Sequence, residues 1–243
     1  MELSIVTCLF VLDNKKNENK KKNDIKSLKI VLNKKNNDLI RIKFDEKSSI
    51  KEQMRKKINN VIGNEKFHLE QVYTFGEKKY FEDKRIDVIY MALANIDNIK
   101  KLDDDYELVD FNVFNNNEIL LGDSVYNYKT ERKMVGDSYE YYHKIKVDNI
   151  ELEKKLNEMI TAFKHLRTRV DNTDVCFMLL PDVFTLEDVR IVYELIMDIE
   201  VDKSNFRKKI VKFCEKVDMV VDDKGYRPSQ MYKFNPDSID IWL

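Results

Sequence analysis

Leu179 to Phe213 reads LLPDVFTLEDVRIVYELIMDIEVDKSNFRKKIVKF, and its punctuation predicts two helices set close together. Thr185 opens the first, TLEDVRIVYELIMD, with Glu187 and Asp188 in the first turn, where negative charge suits the exposed backbone N–H groups. After IEVDK, Ser204 opens the second, SNFRKKIVKFCEK, whose spacing puts Phe206, Ile210, Phe213 and Cys214 on a buried face. VDMVV and SQMYKF then flank DDKGYRP, a turn-rich tip with Gly225 and Pro228, which predicts a β-hairpin. Helix, short turn, helix and hairpin is the order of a winged helix, a fold whose second helix can enter a DNA major groove. Upstream, Leu152, Leu156, Met159, Ile160, Phe163 and Leu166 recur at helical spacing, and VCFMLLP forms a short buried run closed by Pro181.

Charge agrees with this order. From Lys203 to Lys233 the basic residues are Lys203, Arg207, Lys208, Lys209, Lys212, Lys216, Lys224, Arg227 and Lys233, against Glu215, Asp218, Asp222 and Asp223. That is a local excess of about +5 of the kind that contacts phosphates. The whole chain of 243 residues carries a net charge of -1, which excludes a uniformly basic nucleic-acid coat and confines any DNA contact to a patch. The same lysines could instead form a solvated face, and a winged helix can serve protein contacts, so the fold alone does not choose the partner.

The preceding sequence has a different texture. SIVTCLFVL (Ser4 to Leu12) and Lys26 to Leu32, with SLKIVL within it, are β-rich runs around a Lys/Asn-rich tip, followed by a short strand from Leu39 to Phe44. Ser49 with Glu52 is a capping box, and Ile50, Met54, Ile58 and Val61 make one apolar stripe along KEQMRKKINNVIG. LEQVYTFG and RIDVIYMALANI read as two further strands joined by a charged loop. Residues 103–147 show short alternations without a decisive period and stay unassigned. The pattern is α+β, divided at 1–147 and 148–243, and the length suits two domains. The start MELSIVTCLFVLD lacks a basic leader and a cleavage site, and no run is long enough to span a membrane. Cys8, Cys176 and Cys214 are odd in number and far apart, as expected of reduced thiols in a cytoplasmic protein, and His68, His143 and His165 are equally scattered. Neither a metal cluster nor a histidine-centred nucleophile assembles from local sequence, and no cofactor is expected.

LLPDVFTLEDVRIVYELI, VDKSNFRKKIV and KGYRPSQMYKF together resemble the C-terminal winged helix of the Nudix-related transcriptional regulators, typified by the repressors of NAD metabolism. The matching positions include Pro181, Phe184, Thr185, Tyr193, Glu194, Asn205, Phe206, Arg207, Arg227, Pro228, Tyr232 and Phe234. LEQVYTFG followed by RIDVIYMAL looks more loosely like strands of that family's Nudix-like domain. The resemblance implies a Nudix-like N-terminal domain followed by a winged helix, in a homodimer that binds an inverted repeat in double-stranded DNA and responds to a nucleotide such as ADP-ribose. Lys203, Ser204, Asn205, Arg207 and Lys208 would lie at the major groove, Lys224, Arg227 and Lys233 in the wing, and Tyr73, Phe75 and Arg85 at a nucleotide. Asn205 and Arg207 are the side chains able to make bidentate contacts with adenine and guanine edges.

A working Nudix hydrolase carries G-x5-E-x7-R-E-U-x-E-E-x-G-U, whose glutamates hold Mg²⁺ or Mn²⁺. Anchoring the last glycine on Gly63 puts Lys56, Lys57, Ile58, Asn60 and Val61 at R-E-U-E-E, so only Ile58 and Gly63 fit. Hard cations need clustered carboxylate oxygens, and here lysines stand in their place. The expectation is therefore a regulator without catalytic or metal-binding residues. The rival readings are a residual pyrophosphatase using other ligands and a protein-interaction module built on the winged helix.

Overall fold

The structure, a computed structural model, describes residues 2–15, 25–76, 85–135, 137–172, 174–221 and 229–238. Its centre is β1 (Glu2–Lys15), which pairs in parallel with β5 (Arg85–Asn95) and antiparallel with β2 (Ile25–Asn33) and β3 (Ile40–Lys43). Side chains alternate across a strand, and both faces of β1 are apolar: Ile5, Leu9 and Val11 enter one core, Val6, Cys8, Phe10 and Leu12 the other. β5 repeats the division with Val88, Tyr90 and Ala92 against Ile89, Met91 and Leu93. A sheet apolar on both faces needs a helix on each. The first is α1 (Ile50–Ile62), which buries Met54, Ile58, Val61 and Ile62; the second is α2 (Ile150–Asn172), which buries Met159, Phe163 and Leu166.

Residues 103–147 supply the strands that sequence left unassigned: β6 (Tyr106–Val113), β7 (Glu118–Leu121), β8 (Ser124–Val135) and β9 (Ser138–Ile145). With β4 (His68–Phe75) the order becomes β4-β5-β1-β2-β6-β7-β8-β9, β3 lying beside β1. Phe163 of α2 packs edge-on to Phe10 and Phe111, ring centroids 5.9 and 5.6 Å apart. Sequence grouped this helix with the C-terminal elements; its apolar face lies on the sheet.

A polar cluster lies at the edge of that interface. The Arg41 guanidinium donates to Asp38, Asp87 and Glu158 at 3.2, 3.0 and 3.1 Å, and Arg85 donates to Asp87 at 3.0 Å. Asp87 and Glu158 are fully buried. Losing the Arg41 guanidinium would leave Glu158 without its cation and Asp87 with Arg85 alone, and breaking a buried pair typically costs about 3–5 kcal/mol.

The capping box at Ser49 and Glu52 forms as the sequence requires, and Gly63 closes α1 at φ 66. A Cβ there would sit 3.3 Å from the Lys101 backbone, so both conformation and space favour glycine. The tip of the first hairpin and the charged loop after β4 lie outside the described residues.

α3 (Leu186–Met197) and α4 (Lys203–Ile210) follow, then β10 (Cys214–Val221) paired with β11 (Ser229–Phe234). One expectation needs correction: the second helix stops at Ile210 instead of running on through Phe213 and Cys214. Val211–Phe213 is a single 3-10 turn, and Cys214 is already extended and paired with Phe234. Strand pairing overrides a helical spacing that continues only by coincidence. Phe213 and Cys214 are half-buried, while Phe206 and Ile210 are buried as expected.

Candidate nucleic-acid interface and effector cavity

Thr185 caps α3 by accepting the Asp188 N–H, and Asp188 returns the bond to Thr185 N at 2.8 Å. α3 ends at Asp198, held at φ 54, and Asp202 then caps α4 by accepting the Asn205 N–H at 2.9 Å. Phe206 packs on Tyr193 with centroids 5.1 Å apart, which fixes the rotation of α4. That rotation leaves Lys203, Ser204, Asn205, Arg207 and Lys208 exposed on one short helix. Lys203 reaches Glu187 at 3.3 Å, whereas Arg207 and Lys208 have no acidic partner among the described residues.

The wing is tied to the helices at its base: Phe184 and Tyr232 exchange backbone hydrogen bonds of 2.9 and 2.8 Å. Lys233 is exposed on β11 and pairs with Glu215 at 2.8 Å. Lys224 and Arg227 lie outside the described residues. Between α3, α4 and β11 lies a cavity of about 480 Å³ edged by Glu187, Arg190, Arg207 and Gln230.

A clasp joins this unit to the sheet. Arg167 of α2 donates to Ile196 O at 2.7 Å, to Asn115 Oδ1 at 3.1 Å and to Val113 O. Asn115, in the β6–β7 loop, donates through its backbone to the Asp198 carboxylate at 2.7 Å and through its amide to Asp198 O at 2.9 Å. Terminal carbonyls of α3, which have no partner within the helix, are thus satisfied from outside it. Tyr193 donates to Asp171 of α2 at 2.8 Å.

On α1, the position of a metal-binding glutamate holds Lys57, its ammonium 5.3 Å from the Tyr106 ring centroid, and Val61 is buried in the core. Arg55 stacks 4.7 Å over Phe67 and donates to Glu65 O, and Asn59 donates to the Glu65 carboxylate at 3.2 Å. Nothing in this set offers a divalent cation clustered oxygens. Among the described residues no group of three or more His, Cys, Asp and Glu side chains could hold a metal ion.

The three residues expected at a nucleotide do not meet. Tyr73 and Phe75, ring centroids 4.9 Å apart, edge a cavity of about 180 Å³ on the α2 face, while Arg85 is engaged with Asp87 in the buried cluster. Tyr141, Tyr142, His143 and Lys164 complete the cavity, with Asn157 and Thr161 of α2 beneath. Sequence reading missed these residues. The aromatic run SYEYYHK was the available signal, but it lay in the segment with no readable period. Burial, and then the Lys164 charge, push His143 down to about 4, so it is neutral at pH 7. Burial also lowers Lys164, with Arg167 adding to the effect.

Residues 176–234 match the NrtR DNA-binding winged helix domain. The match spans the two helices and the hairpin of the C-terminal unit. Nearly the whole chain also superposes on solved structures. NrtR of Shewanella oneidensis complexed with a 27mer DNA is 16% identical with a TM-score of 0.69, over 97% of this chain and 94% of that one. A second crystal structure of NrtR from the same organism gives 14% and 0.66, over 98% and 96%. A MutT/nudix family protein from Enterococcus faecalis gives 17% and 0.65, over 96% and 88%. At these identities the likeness carries the fold: a Nudix-like domain followed by an NrtR-type winged helix. No curated protein matches the chain.

Proposed function

We propose that the protein is a cytoplasmic, homodimeric transcriptional regulator, acting as a repressor, that binds an inverted repeat in double-stranded DNA through its winged helix. The observation that carries this reading is α4 itself: in an NrtR-type DNA-binding domain it presents Arg207 and Lys208 to solvent without an acidic partner among the described residues. Asn205 and Arg207 read base edges; Lys203, Ser204 and Lys208 on the helix, with Lys224, Arg227 and Lys233 of the wing, contact phosphates. The NrtR of Shewanella oneidensis, solved with a 27mer DNA, supports the DNA partner by analogy of fold.

In this reading 1–147 is the sensing and dimerising unit and 148–243 the DNA-binding unit, with α2 serving both. The Nudix-like domain is catalytically silent, because Lys57 and Val61 occupy positions where hydrolysis needs carboxylates. It senses a nucleotide such as ADP-ribose, with Tyr73, Phe75 and Arg85 as its ligand-binding residues. The test is recovery of genomic fragments on the purified protein, followed by binding isotherms at several salt concentrations and light scattering of the complex. Selective, salt-dependent binding by a dimer is expected, with half-site centres about one or two turns of roughly 34 Å apart. Equal affinity for operator and scrambled DNA would leave the winged helix as a protein-contact module.

A further inference from the structure

We infer that the winged-helix unit carries a ligand site of its own, in the cavity behind α4, that it takes a small zwitterion with an apolar body, as an apolar α-amino acid has, and that filling it weakens the hold on DNA. The effect on DNA rests on the regulator reading; the site itself does not.

The apolar body is called for by the walls. A cavity of about 260 Å³ shares Phe206 with the groove between α3, α4 and β11 and is lined besides by Val170 of α2, Cys176 of the 3-10 segment Asp174–Leu179, Tyr193 of α3 and Ile210 of α4. Cys176 is buried, and a buried thiol packs as a small hydrophobe. The Tyr193 hydroxyl is already engaged by Asp171 at 2.8 Å, so the ring alone faces the space. At roughly 30 Å³ for one water's share of volume, the cavity suits a molecule of about nine non-hydrogen atoms, the size of leucine.

The two charges are called for by an acid and a base that line the same cavity without meeting. Asp171 and Lys209 approach to 3.9 Å across it, but Asp174 and Lys212 have no ion-pair partner among the described residues. The Lys212 ammonium lies 4.8 Å from the Phe213 ring centroid. Asp174 is half-buried and stands by the thiol wall: after burial, its charge is the next cause that pushes Cys176 up to about 12. A ligand with an ammonium and a carboxylate on one carbon answers both groups with charge-assisted hydrogen bonds. A simple carboxylate would bring its anion up against Asp174, and a simple amine its cation against Lys212. The cavity also lies where a ligand acts on α4. The Phe206 and Tyr193 rings, whose packing at 5.1 Å fixes the rotation of that helix, both line it. An apolar body seated against the two rings competes with that contact and turns Asn205 and Arg207 off their base edges.

The experiment is calorimetric titration of the full chain with L-leucine, with isocaproate and isoamylamine, which lack its ammonium and its carboxylate in turn, and with glycine, which lacks the body. Leucine should bind, and each of the other three more weakly by about tenfold or more. Asp174→Asn should bring leucine down to the affinity of isocaproate without weakening isocaproate itself, and Lys212→Gln should do the same with respect to isoamylamine. Both side chains reach solvent, so these variants keep the fold, and Lys56→Gln on α1 should bind leucine as the wild type does. Saturating leucine should weaken binding of the recovered genomic fragments by about fivefold or more. No leucine binding, glycine or isocaproate binding as tightly as leucine, or leucine affinity unchanged in both charge variants would each overturn the site. Bound leucine with DNA affinity unchanged would overturn its regulatory role. Failure of the ligand-free protein to hold any fragment would instead refute the regulator reading, and with it the effect on DNA, while the calorimetry still decides the site.

Discussion

Glu158→Gln should change how stability depends on pH more than it changes stability itself. Glu158 sits on α2, fully buried against Arg41, with Asp87, Asp38 and the Cys8 thiol also facing it and Lys155 and Arg85 at the margin. Burial first, and then the Asp87 and Asp38 charges, push its carboxyl up to about 7 from an ordinary 4.5, although Arg41 pulls the other way. A raised carboxyl gives a contribution that is full below 4.5 and lost as pH rises through about 7. At about 1.36 kcal/mol per pH unit, ionising it in the folded chain costs about 3 kcal/mol that the unfolded chain does not meet. His143 has the opposite sign: depressed to about 4, it gives stability that is full above its ordinary 6.5 and lost as pH falls. Because that imidazole is only half-buried, solvent screening cuts its share to about 1–2 kcal/mol. The wild type should therefore lose only about 1–2 kcal/mol between pH 5 and 8, the larger Glu158 slope being partly cancelled by that of His143. Glu158→Gln, left with the histidine slope, should grow more stable over the same range. Urea midpoints followed by far-UV circular dichroism at pH 5, 6, 7 and 8 measure both curves. Parallel curves, whatever the offset between them, would refute the assignment of the titration to Glu158.

Other perturbations separate the remaining roles. Arg207→Ala should cost about 1–3 kcal/mol on the operator and relax preference at one position, whereas Lys224→Ala should weaken all sequences alike and reduce the salt slope by about one phosphate's worth; isotherms on operator and scrambled DNA at several salt concentrations tell them apart. Arg167→Met leaves the carbonyls of Ile196 and Val113 without their donor. It should destabilise the chain by about 1–3 kcal/mol and raise hydrogen exchange in residues 196–202 before the sheet core is affected. Added Mg²⁺ or Mn²⁺ should give no turnover of ADP-ribose, and product that scales with protein and disappears with a chelator would contradict that.

Periodicity and capping carried the sequence reading furthest where one element buries one face. α1 was legible from four apolar residues and the Ser49–Glu52 box because both signals are local, within one helix. α4 was legible to within a residue at its start, where Asp202 and not Ser204 supplies the cap, and not at its end: Phe213 and Cys214 keep the helical spacing, and only pairing with β11, distant in sequence, extends the chain there. β6 to β9 resisted because β8 and β9 leave the sheet body as a two-stranded ribbon. With Tyr139 and Tyr141 on one face and Tyr142 on the other, all exposed, no apolar alternation marks an inside. The cavity was illegible for a related reason. Tyr73, Tyr141 and Lys164 are separated by long stretches of chain, and only curvature of the sheet around α2 brings them together.

That curvature gives α2 two duties along its length. Its middle carries Thr161 and Lys164 beneath the cavity; one turn on, Arg167 bonds to the last turn of α3, and Asp171 accepts from Tyr193, the ring that packs on Phe206 of α4. A helix of 23 residues whose sheet-facing side is close-packed moves as a unit. A ligand that shifts the Lys164 turn therefore shifts the Arg167 turn with it. The β6–β7 loop follows, because Asn115 holds both Arg167 and Asp198. Asp198 begins the connection to α4, so the orientation of Asn205 and Arg207 is set at the same point where the sheet and α2 are clasped to the DNA-binding unit. In the proposed reading, coupling between effector and DNA runs through the α3 terminus, which Arg167 and Asn115 hold.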